Sequence, residues 1–386
     1  MISKVSIELS QREQELFEKA KEFSLTKIAP YLVQWENGDK KPREAMDLFV
    51  DNGYCGMGLS RELGGGGYNF LECALIYEGL AYGGGTLAFL IQLHNNITFE
   101  IGSYYDTSEE VKRLVPDMVS GKKLTAFALS EETSGSDPSS TTSYAELKND
   151  GYHIYGQKAW ITNSTDAEHF NVMVKDGSST SRDMLMLLVD RDTPGFTIGK
   201  TRPRMGSNAM SCCDLKFDDC VVPKERLLSS QGFKEALRAI DVARVFVPAI
   251  AIGISQRAID MTVEYLGKRI AFKKPLITNQ GVQWTLAELS AQVEAGRWLA
   301  YRTASYMDSG KPVAVQAAMN KLFAADLAMK VTTECLQLFG ANGYDKQSVI
   351  SNYMTLAKLL QMIDGTSQIQ KIVIGRALER KVLPKK

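Results

Sequence analysis

Hydrophobic positions recur every three to four residues along the first third of the chain. This spacing predicts helices, because residues three and four apart share one helical face. The predicted helices cover residues 9–32, 43–50, 71–82, 86–104 and 108–119. Pro30 interrupts the first of them. The glycine-rich residues 53–67 predict a flexible turn between the second and third.

At about residue 122 the pattern changes to an alternation of hydrophobic and polar positions, which is the spacing of half-buried strands. The predicted strands are residues 124–129, 143–147, 153–161, 171–174, 184–189, 196–198 and 213–217. Glycine, proline, serine and aspartate separate them, as in turns. This part of the chain therefore predicts a compact all-β domain.

Helical spacing returns near residue 233 and continues to the end. The long amphipathic runs are residues 233–269, 279–309, 312–339, 349–362 and 367–382. The order of elements predicts an α+β multidomain fold. We expect an N-terminal α-helical domain at 1–121, a small middle β-barrel or sandwich at 122–230 and a C-terminal four-helix bundle at 231–386. Strands and helices do not alternate, which argues against a doubly wound nucleotide-binding sheet.

Charge and composition exclude several classes of protein. Lysine plus arginine and aspartate plus glutamate number 45 each, so the formal net charge is zero. A nucleic-acid or membrane-surface protein usually carries a cationic excess. The first residues lack an apolar core of signal-peptide length, and no apolar run approaches the roughly 18 residues of a membrane span. We expect a cytoplasmic protein that binds no nucleic acid and has no membrane span.

The cysteines and histidines predict neither disulfides nor a metal site. The six cysteines include the adjacent pair Cys212 and Cys213 but no C-x-x-C pair, which favours reduced thiols. The three histidines are scattered, which argues against a histidine-based metal site. His94 lies in an apolar helical context and is predicted to be a hydrogen-bonded core residue.

Residues 361–370, Gln-Met-Ile-Asp-Gly-Thr-Ser-Gln-Ile-Gln, join the last two predicted helices. Gly365 ends the first of these helices, and Thr366 or Ser367 can cap the second. Gln368 falls in the first turn, where its amide can close a capping box or face a ligand. A carboxylate, Asp364, stands directly before the glycine. Such a junction serves either as a plain helical corner or as a site.

Six short motifs support a site at this junction. In chain order they are Phe-Ala-Leu-Ser-Glu-x-x-Ser-Gly-Ser-Asp from Phe127, Lys-x-Trp-Ile-Thr-Asn from Lys158, Asp-x-x-Arg from Asp241, Arg-x-x-Phe from Arg269, Gln-x-x-Gly from Gln337 and Gly-Thr-Ser-Gln-Ile-Gln from Gly365. Each motif is weak alone. In this order and spacing they make the chain resemble the acyl-CoA dehydrogenase family over essentially its whole length.

The resemblance implies an FAD cofactor and a set of residues that contact it. The flavin and pyrophosphate would lie against a strand and turn, the flavin edge against two residues of a later strand, and the adenosine half against segments of a neighbouring subunit. The strand and turn positions are Phe127, Leu129, Ser130, Gly135 and Ser136, and the positions at the flavin edge are Trp160 and Thr162. The adenosine positions are Arg269, Phe272, Gln280, Gln337, Gly340 and Ala341. The last FAD contacts of the family correspond to Thr366 and Gln368. Ala341 replaces a usual glycine. FAD shared between subunits implies a homotetramer built from two dimers.

The resemblance also implies a reaction and a substrate channel. The reaction is α,β-dehydrogenation of an acyl thioester: a base removes the α-proton, and the β-hydrogen leaves as hydride to the flavin. The thioester oxygen needs hydrogen bonds as charge develops on it. Ser136, Asp241, Arg244 and Gly365 correspond to substrate positions, and the pocket wall to residues 87–96 and 239–247. An electron-transferring flavoprotein is the implied electron acceptor.

The sequence departs from the family pattern at the base. Asp364 stands where the family has glutamate, and Ala243 occupies the other position used for a base. Aspartate is one methylene shorter, a deficit on the order of 1.5 Å, and a misplacement near 1 Å can cost roughly a hundredfold in rate. Three outcomes are open: the acyl group sits closer to Asp364, the base lies elsewhere, or ordinary activity is lost. We favour the first, with a pocket shaped for a cyclic, branched or α-substituted acyl group.

Further departures leave other functions open. Thr355, Asn208 and Lys273 stand where the family often has arginine, arginine and glycine. These changes favour a specialised role over housekeeping fatty-acid oxidation. One alternative is a dehydrogenase or oxidase for an acyl group on a carrier protein in secondary metabolism. A third interpretation is a structural homologue without redox turnover.

Overall fold

The structure is a computed structural model that describes residues 8–105, 107–178 and 184–383. The first seven residues, part of the segment considered above for a signal peptide, lie outside the described residues. The helices, in chain order, are α1 Gln11–Phe23, α2 Leu32–Asn37, α3 Pro42–Asp51, α4 Phe70–Ser103, α5 Glu109–Val119, α6 Gly232–Lys268, α7 Gln280–Asp308, α8 Ala314–Phe339, α9 Ala341–Tyr344, α10 Val349–Leu360 and α11 Ser367–Glu379. The strands are β1 Leu124–Ala128, β2 Tyr144–Leu147, β3 Tyr152–Thr162, β4 Ala167–Asp176, β5 Met184–Asp190, β6 Phe196–Thr201, β7 Cys212–Val222, β8 Leu227–Ser229, β9 Ile270–Ala271 and β10 Lys274–Pro275.

The predicted succession of helices, strands and helices is confirmed. All seven predicted strands are present, and the short strands β8 to β10 were missed. The domain boundaries at residues 121 and 230 remain a prediction. Two predicted helices, 71–82 and 86–104, form the single helix α4, although the backbone at Gly84 between them is not helical. The predicted break at Pro30 is present as a short 3-10 turn, Ala29–Tyr31, which follows a π-helical turn.

The chain divides into two compact units. The first contains the described parts of residues 1–33, together with 69–88 and 245–361. In its bundle, α8 packs against α7 and α10. The buried carboxylate of Glu78 on α4 accepts hydrogen bonds from Arg297 Nε at 2.8 Å and Tyr301 Oη at 2.7 Å, both on α7. This ion pair fixes one contact between helices, because a buried carboxylate requires partners.

The second unit contains residues 34–68, 89–244 and 362–386, as far as they are described. Its sheet has the strand order β6-β7-β3-β2-β4-β5-β8, and β1 pairs in parallel with β4. Strand β4 also pairs in parallel with β2 further along, so β1 and β2 share one of its edges. The strands enclose a core that includes Phe170, Val172 and Leu187.

Burial on two faces explains the apolar run at residues 184–189 of β5 and the apolar centre of β4. One face carries Phe170 and Leu187 toward the core of the sheet, and the other carries Met173 and Met186 toward helices. Residues such as Ile97 of α4 and Val115 of α5 cover that second face. A strand buried on two faces reads as a continuous apolar run rather than as an alternation.

The long helix α4 is rich in apolar residues. Among the described residues it is the one helix long and apolar enough to cross a membrane, but its most apolar window is entirely buried inside the protein. Burial of this kind is typical of a core helix. His94, on the same helix, is buried and bonds Thr125 Oγ1 at 3.0 Å and Met118 O at 2.9 Å. Burial lowers the pKa of His94 to about 4, so the predicted core histidine is confirmed.

Candidate functional site

A pocket in the second unit brings together residues from distant parts of the chain. Its empty space is about 390 Å3. The lining residues come from α4, β1, β4, α6 and the loop before α11: Phe89, Gln92, Leu93, Asn96, Ile97, Glu100, Phe127, Asn171, Ala239, Ala243 and Asp364. Both segments assigned to the pocket wall from sequence, 87–96 and 239–247, contribute to it. Asp364 is the candidate base, and it lines this pocket.

The loop that carries Asp364 has a left-handed backbone at two successive residues. The φ angle is +50° at Asp364 and +83° at Gly365. Glycine adopts this region without strain, and aspartate does so more readily than most other residues. The carbonyl of Asp364 accepts hydrogen bonds from Arg244 Nε at 2.8 Å and Gln370 Nε2 at 3.1 Å. These bonds fix the backbone from which the carboxylate extends.

Arg244 and Gly365 fit against each other closely. A Cβ at residue 365 would lie 2.6 Å from Arg244 Nη2, so a side chain there would displace the guanidinium. Arg244 Nη1 also donates to Asp241 Oδ1 at 2.9 Å. Burial raises the pKa of Asp241, and the adjacent Arg244 opposes that rise. The predicted substrate positions Asp241, Arg244 and Gly365 therefore form one cluster beside Asp364.

Thr366 begins the last helix as the sequence predicts. Its Oγ1 accepts a hydrogen bond from Ile369 N at 3.3 Å, so Thr366 is the N-cap of α11. The capping box through Gln368 is wrong. Ile369, rather than Gln368, occupies the third helical position, and the Gln368 side chain is exposed.

The turn after β1 is held by a buried ion pair. Lys158 Nζ lies 2.9 Å from Glu131 Oε1, and both side chains are buried. Glu131 also accepts from the backbone N of Thr142 at 2.6 Å and of Ser143 at 3.0 Å. Burial would raise the pKa of Glu131, but Lys158 and the hydroxyl donors outweigh it and lower that pKa. The turn that contains Ser130, Gly135 and Ser136 is thus tied to β3.

Trp160 interrupts the regular alternation of β3. Its φ angle is +62°, and the pairing of β3 with β7 shifts between Lys158 and Ile161. The indole ring is half exposed, and the guanidinium of Arg202 lies 4.3 Å from the ring centroid. Phe127, Leu129, Ser130 and Thr162 are partly buried, whereas Gly135 and Ser136 are exposed. Apart from its own chain neighbours, none of the described residues lies within 4 Å of a Cβ built at Gly135, so this turn offers open backbone.

The remaining predicted cofactor positions lie in the first unit. Arg269 precedes the hairpin of β9 and β10, whose tip residues Phe272 and Lys273 have φ angles of +51° and +65°. The Phe272 side chain is 90% exposed. Gln280 begins α7. The lysine where the family usually has glycine therefore occupies a conformation that favours glycine.

A second predicted segment lies beside that hairpin. Tyr265, one turn before Arg269, stacks on Phe339 with ring centroids 4.4 Å apart. Its hydroxyl also accepts from Asn342 Nδ2 at 2.8 Å. Gln337 lies in the last turn of α8, which ends before Gly340 with φ +61°, and Ala341 begins α9. The segments around 269 and 340 are thereby held together within this unit.

Sequence reasoning included Gln92 and Asn96 only as members of the pocket-wall segment 87–96, and it gave no individual role to Glu100, Glu131 or Lys158. Gln92, Asn96 and Glu100 line the pocket, and Glu131 and Lys158 hold the turn. The first three recur every four residues along α4, a spacing that places them on one face of the helix. The other two lie inside the motifs already identified. No group of His, Cys, Asp and Glu suited to a metal ion occurs among the described residues, and no disulfide joins any of the six cysteines.

Comparison with known proteins identifies the family. The acyl-CoA dehydrogenase N-terminal, middle and C-terminal domains match residues 10–122, 126–220 and 230–379. A short-chain specific acyl-CoA dehydrogenase of Megasphaera elsdenii is 34% identical, over 96% of this chain and 99% of its own.

Solved structures agree. Butyryl-CoA dehydrogenase from Megasphaera elsdenii has a TM-score of 0.92 and 32% identity, over 97% of this chain and 100% of its own. A glutaryl-CoA dehydrogenase from Mycobacterium smegmatis in complex with FADH2 has a TM-score of 0.91 and 25% identity, over 98% of this chain and 97% of its own. The chain therefore belongs to the acyl-CoA dehydrogenase family, the FAD-dependent oxidoreductases that act on the CH–CH group of acyl-CoA thioesters.

Proposed function

We propose that this enzyme dehydrogenates a short acyl thioester of CoA with Asp364 as the base. The observation that carries the proposal is the position of Asp364 in the pocket wall. Its carboxylate would accept the α-proton as the Cα–H bond breaks. The β-hydrogen would leave as hydride, and a carbon–carbon double bond would form between the two carbons. Relatives named short-chain specific support a small acyl group.

Two hydrogen bonds to the Asp364 carbonyl, which we call the clamp, support the role of Asp364 as the base. A base must be held within hydrogen-bond reach of the proton it abstracts, and misplacement by about 1 Å can cost roughly a hundredfold in rate. Arg244 and Gln370 hold the Asp364 carbonyl from two sides. The aspartate is shorter than the usual glutamate, so we propose that the acyl group sits closer to this loop. A cyclic, branched or α-substituted group would fill the pocket differently from a linear one.

The second unit offers a surface that fits the flavin half of FAD. Trp160 exposes half of an aromatic ring, and the turn at Gly135 and Ser136 exposes backbone without a close neighbour above Gly135. Exposed N–H groups and hydroxyls of a small-residue turn are suited to a pyrophosphate. We propose that Phe127, Leu129, Ser130, Thr162, Thr366 and Gln368 complete these contacts. Bound FAD would accept the hydride.

The adenosine half would be held by a neighbouring subunit. Phe272 exposes 90% of its side chain at the tip of a hairpin, as an aromatic does when a partner covers it. We propose that Arg269, Phe272, Gln280, Gln337, Gly340 and Ala341 serve this purpose in a cytoplasmic homotetramer. Reduced flavin must be reoxidised for turnover, and we propose an electron-transferring flavoprotein as the acceptor.

The test is a panel of acyl thioesters mixed anaerobically with the FAD-loaded enzyme. Loss of flavin absorbance reports hydride transfer directly. Linear butyryl-CoA is compared with branched, cyclic and α-substituted acyl-CoA thioesters of similar size. We expect at least one to bleach the flavin within seconds. No bleaching by any of them would contradict the proposal.

The carrier of the acyl group can be tested in the same experiment. The alternative is an acyl group bound to a carrier protein, as the departures from the family pattern at Thr355 and Asn208 suggested. The best acyl group from the panel is presented on CoA and on a phosphopantetheinylated carrier protein. Faster flavin bleaching with CoA supports the proposal, and bleaching with the carrier protein alone supports the alternative.

A further inference from the structure

The pocket wall contains a polar stripe that an ordinary fatty acyl group would not need. Gln92, Asn96 and Glu100 follow one another at four-residue spacing along α4, and Asn171 faces the same pocket from β4. Gln92, Glu100 and Asn171 are each at most 1% exposed. The neighbouring lining residues Phe89, Leu93 and Ile97 are apolar. Buried polar groups on such a helix need hydrogen-bond partners.

Each member of this stripe uses only part of its hydrogen-bonding capacity. Asn96 Nδ2 donates to Ala239 O at 3.1 Å, which fixes the amide orientation and leaves Oδ1 without a partner in the described protein. Glu100 Oε2 accepts from Arg238 Nε at 3.1 Å, and its Oε1 has no partner there. Asn171 Nδ2 donates to Tyr105 Oη at 3.4 Å, and among the described residues Asn171 Oδ1 and Gln92 Nε2 have no partner.

These atoms define the chemistry of the group that would satisfy them. Two of these oxygens have a fixed orientation. Asn96 Oδ1 can only accept a hydrogen bond, and Glu100 Oε1 can only accept one when the carboxyl is ionised. They therefore require an O–H or N–H donor. None of the residues lining the pocket is a lysine or arginine, so the wall has no cationic side chain to balance the charge of a carboxylate or phosphate. An all-carbon acyl chain would exclude water from these atoms and leave them without hydrogen-bond partners, which is unfavourable.

We propose that the acyl group carries a hydroxyl or amino substituent held by Asn96 and Glu100. Asn171 and Gln92 border the same group, and Gln92 Nε2 donates to its lone pair where one is present. The inference rests on the proposed function, since it takes this pocket as the acyl site. It deepens that function by naming the substrate class: thioesters of hydroxy or amino acids with a short chain.

The test measures binding rather than turnover. Alkyl thioethers of CoA lack the carbonyl, so they are not oxidised, and an amino chain cannot cyclise onto them. The FAD-loaded enzyme is titrated calorimetrically with matched pairs, in which a terminal methyl is replaced by hydroxyl or amine at chain lengths of three to five heavy atoms. A 3-carboxypropyl thioether is the anionic comparison. We expect the best hydroxyl or amine to bind at least about tenfold tighter than its methyl partner and the carboxylate to bind weaker than the methyl.

Two variants assign that preference to the stripe. Asn96→Leu removes one acceptor, and Glu100→Gln turns an amide oxygen toward Arg238 and an NH2 group toward the pocket. Asn96→Leu should reduce the preference for both donors about tenfold, and Glu100→Gln should reduce the preference for the amine by a similar factor, because an ammonium group has no lone pair that could accept from the new NH2 group. Thr98→Val is the matched control, because Thr98 is buried on the same helix and donates to His94 O at 2.8 Å within it. It should keep the preference of the wild type.

The possible outcomes distinguish a failure of this inference from a failure of the proposed function. Equal binding of methyl, hydroxyl and amine partners at every chain length overturns the inference alone. A preference that survives intact in both Asn96→Leu and Glu100→Gln also overturns it. If no CoA thioether binds and no acyl-CoA bleaches the flavin, the proposed function fails as well.

Discussion

At the scale of single residues, Asp364 suits its backbone as well as its proposed chemistry. The φ angle of +50° lies in the left-handed region, which aspartate and asparagine enter several times more often than most residues. Glutamate lacks this tendency. The shorter acid and the left-handed loop are therefore consistent with each other, and Arg244 and Gln370 hold the loop in place.

Arg244→Lys tests whether that hold matters for the reaction. A lysine ammonium cannot donate from two fixed nitrogens to the Asp364 carbonyl and to Asp241, as the guanidinium does. We expect flavin reduction by the best acyl-CoA to slow by about ten- to a hundredfold, with the FAD content unchanged. Stopped-flow absorbance and the flavin-to-protein ratio measure the two quantities.

Arg191→Lys is the matched control for this substitution. Arg191 also donates to backbone carbonyls, Ala167 O at 2.8 Å and Ser164 O at 2.8 Å, but it does not line the pocket. Its rate of flavin reduction should stay near that of the wild type. An unchanged rate in Arg244→Lys would mean that the clamp does not position the base.

Glu100 predicts a dependence of stability on pH. Burial raises its pKa to about 7, although Arg238 opposes the rise and Glu235 adds to it. The unfolded chain loses this proton near the ordinary value of 4.5, before the folded protein does. The stability that comes from the neutral carboxyl is therefore present below about pH 4.5 and lost as the pH rises through 7.

The free energy of unfolding of the wild type and of Glu100→Gln is measured with denaturant from pH 5 to 8. We expect the unfolding free energy of the wild type to fall relative to the variant, by on the order of 3 kcal/mol in the limit. The difference should level off above about pH 8. A difference that is constant across this range would mean that Glu100 titrates normally. Tyr105 and Arg238 face Glu100 in both proteins.

At the scale of elements, the turn after β1 depends on the Glu131–Lys158 pair. Removing one partner of a buried ion pair typically costs about 3–5 kcal/mol, because the other charge stays buried alone. We expect Lys158→Met to lower the unfolding free energy by about that amount and to reduce FAD retention. The double variant Glu131→Gln with Lys158→Met should be less destabilised than the sum of the single variants. Additive effects in thermal unfolding would contradict this account.

The elements also show which features a sequence can and cannot reveal. Strands β3 and β7 follow from alternation, and the Thr366 cap follows from its side chain and the glycine before it. The bulge at Trp160 has no such signal, because its positive φ angle arises from pairing with a distant strand. The Glu131–Lys158 pair joins residues 27 positions apart, so it is not visible in local spacing. The four-residue spacing of Gln92, Asn96 and Glu100 is present in the sequence, but only the fold shows that these residues face a pocket.

At the scale of the whole molecule, the proposed assembly completes the cofactor site. We expect a mass near four times the 42.7 kDa chain by light scattering. Phe272→Ser removes an exposed aromatic whose absence should not weaken the subunit's own core. We therefore expect weaker FAD binding, by about tenfold, without loss of thermal stability in excess FAD. Tyr344→Ser is the control, since Tyr344 is 87% exposed and is not assigned to the cofactor.

The family and its reaction were predictable because six motifs occur in one order along the chain, and the comparisons confirm both. The acyl group was not predictable, because pocket chemistry depends on which polar atoms the folded chain leaves without partners. Asn96 is an example: its amide nitrogen is used by a backbone carbonyl of α6, and only its oxygen remains for a ligand.

The most direct measurement is anaerobic stopped-flow reduction of the bound flavin in Asp364→Asn by the best acyl-CoA of the panel. Asparagine matches aspartate in size and also tolerates the left-handed backbone, so the loop should keep its shape. General base catalysis contributes roughly 100- to 10,000-fold, and we predict a slowing of about that size with FAD content and acyl-CoA binding retained. Flavin reduction at the wild-type rate in Asp364→Asn would contradict the assignment of the base.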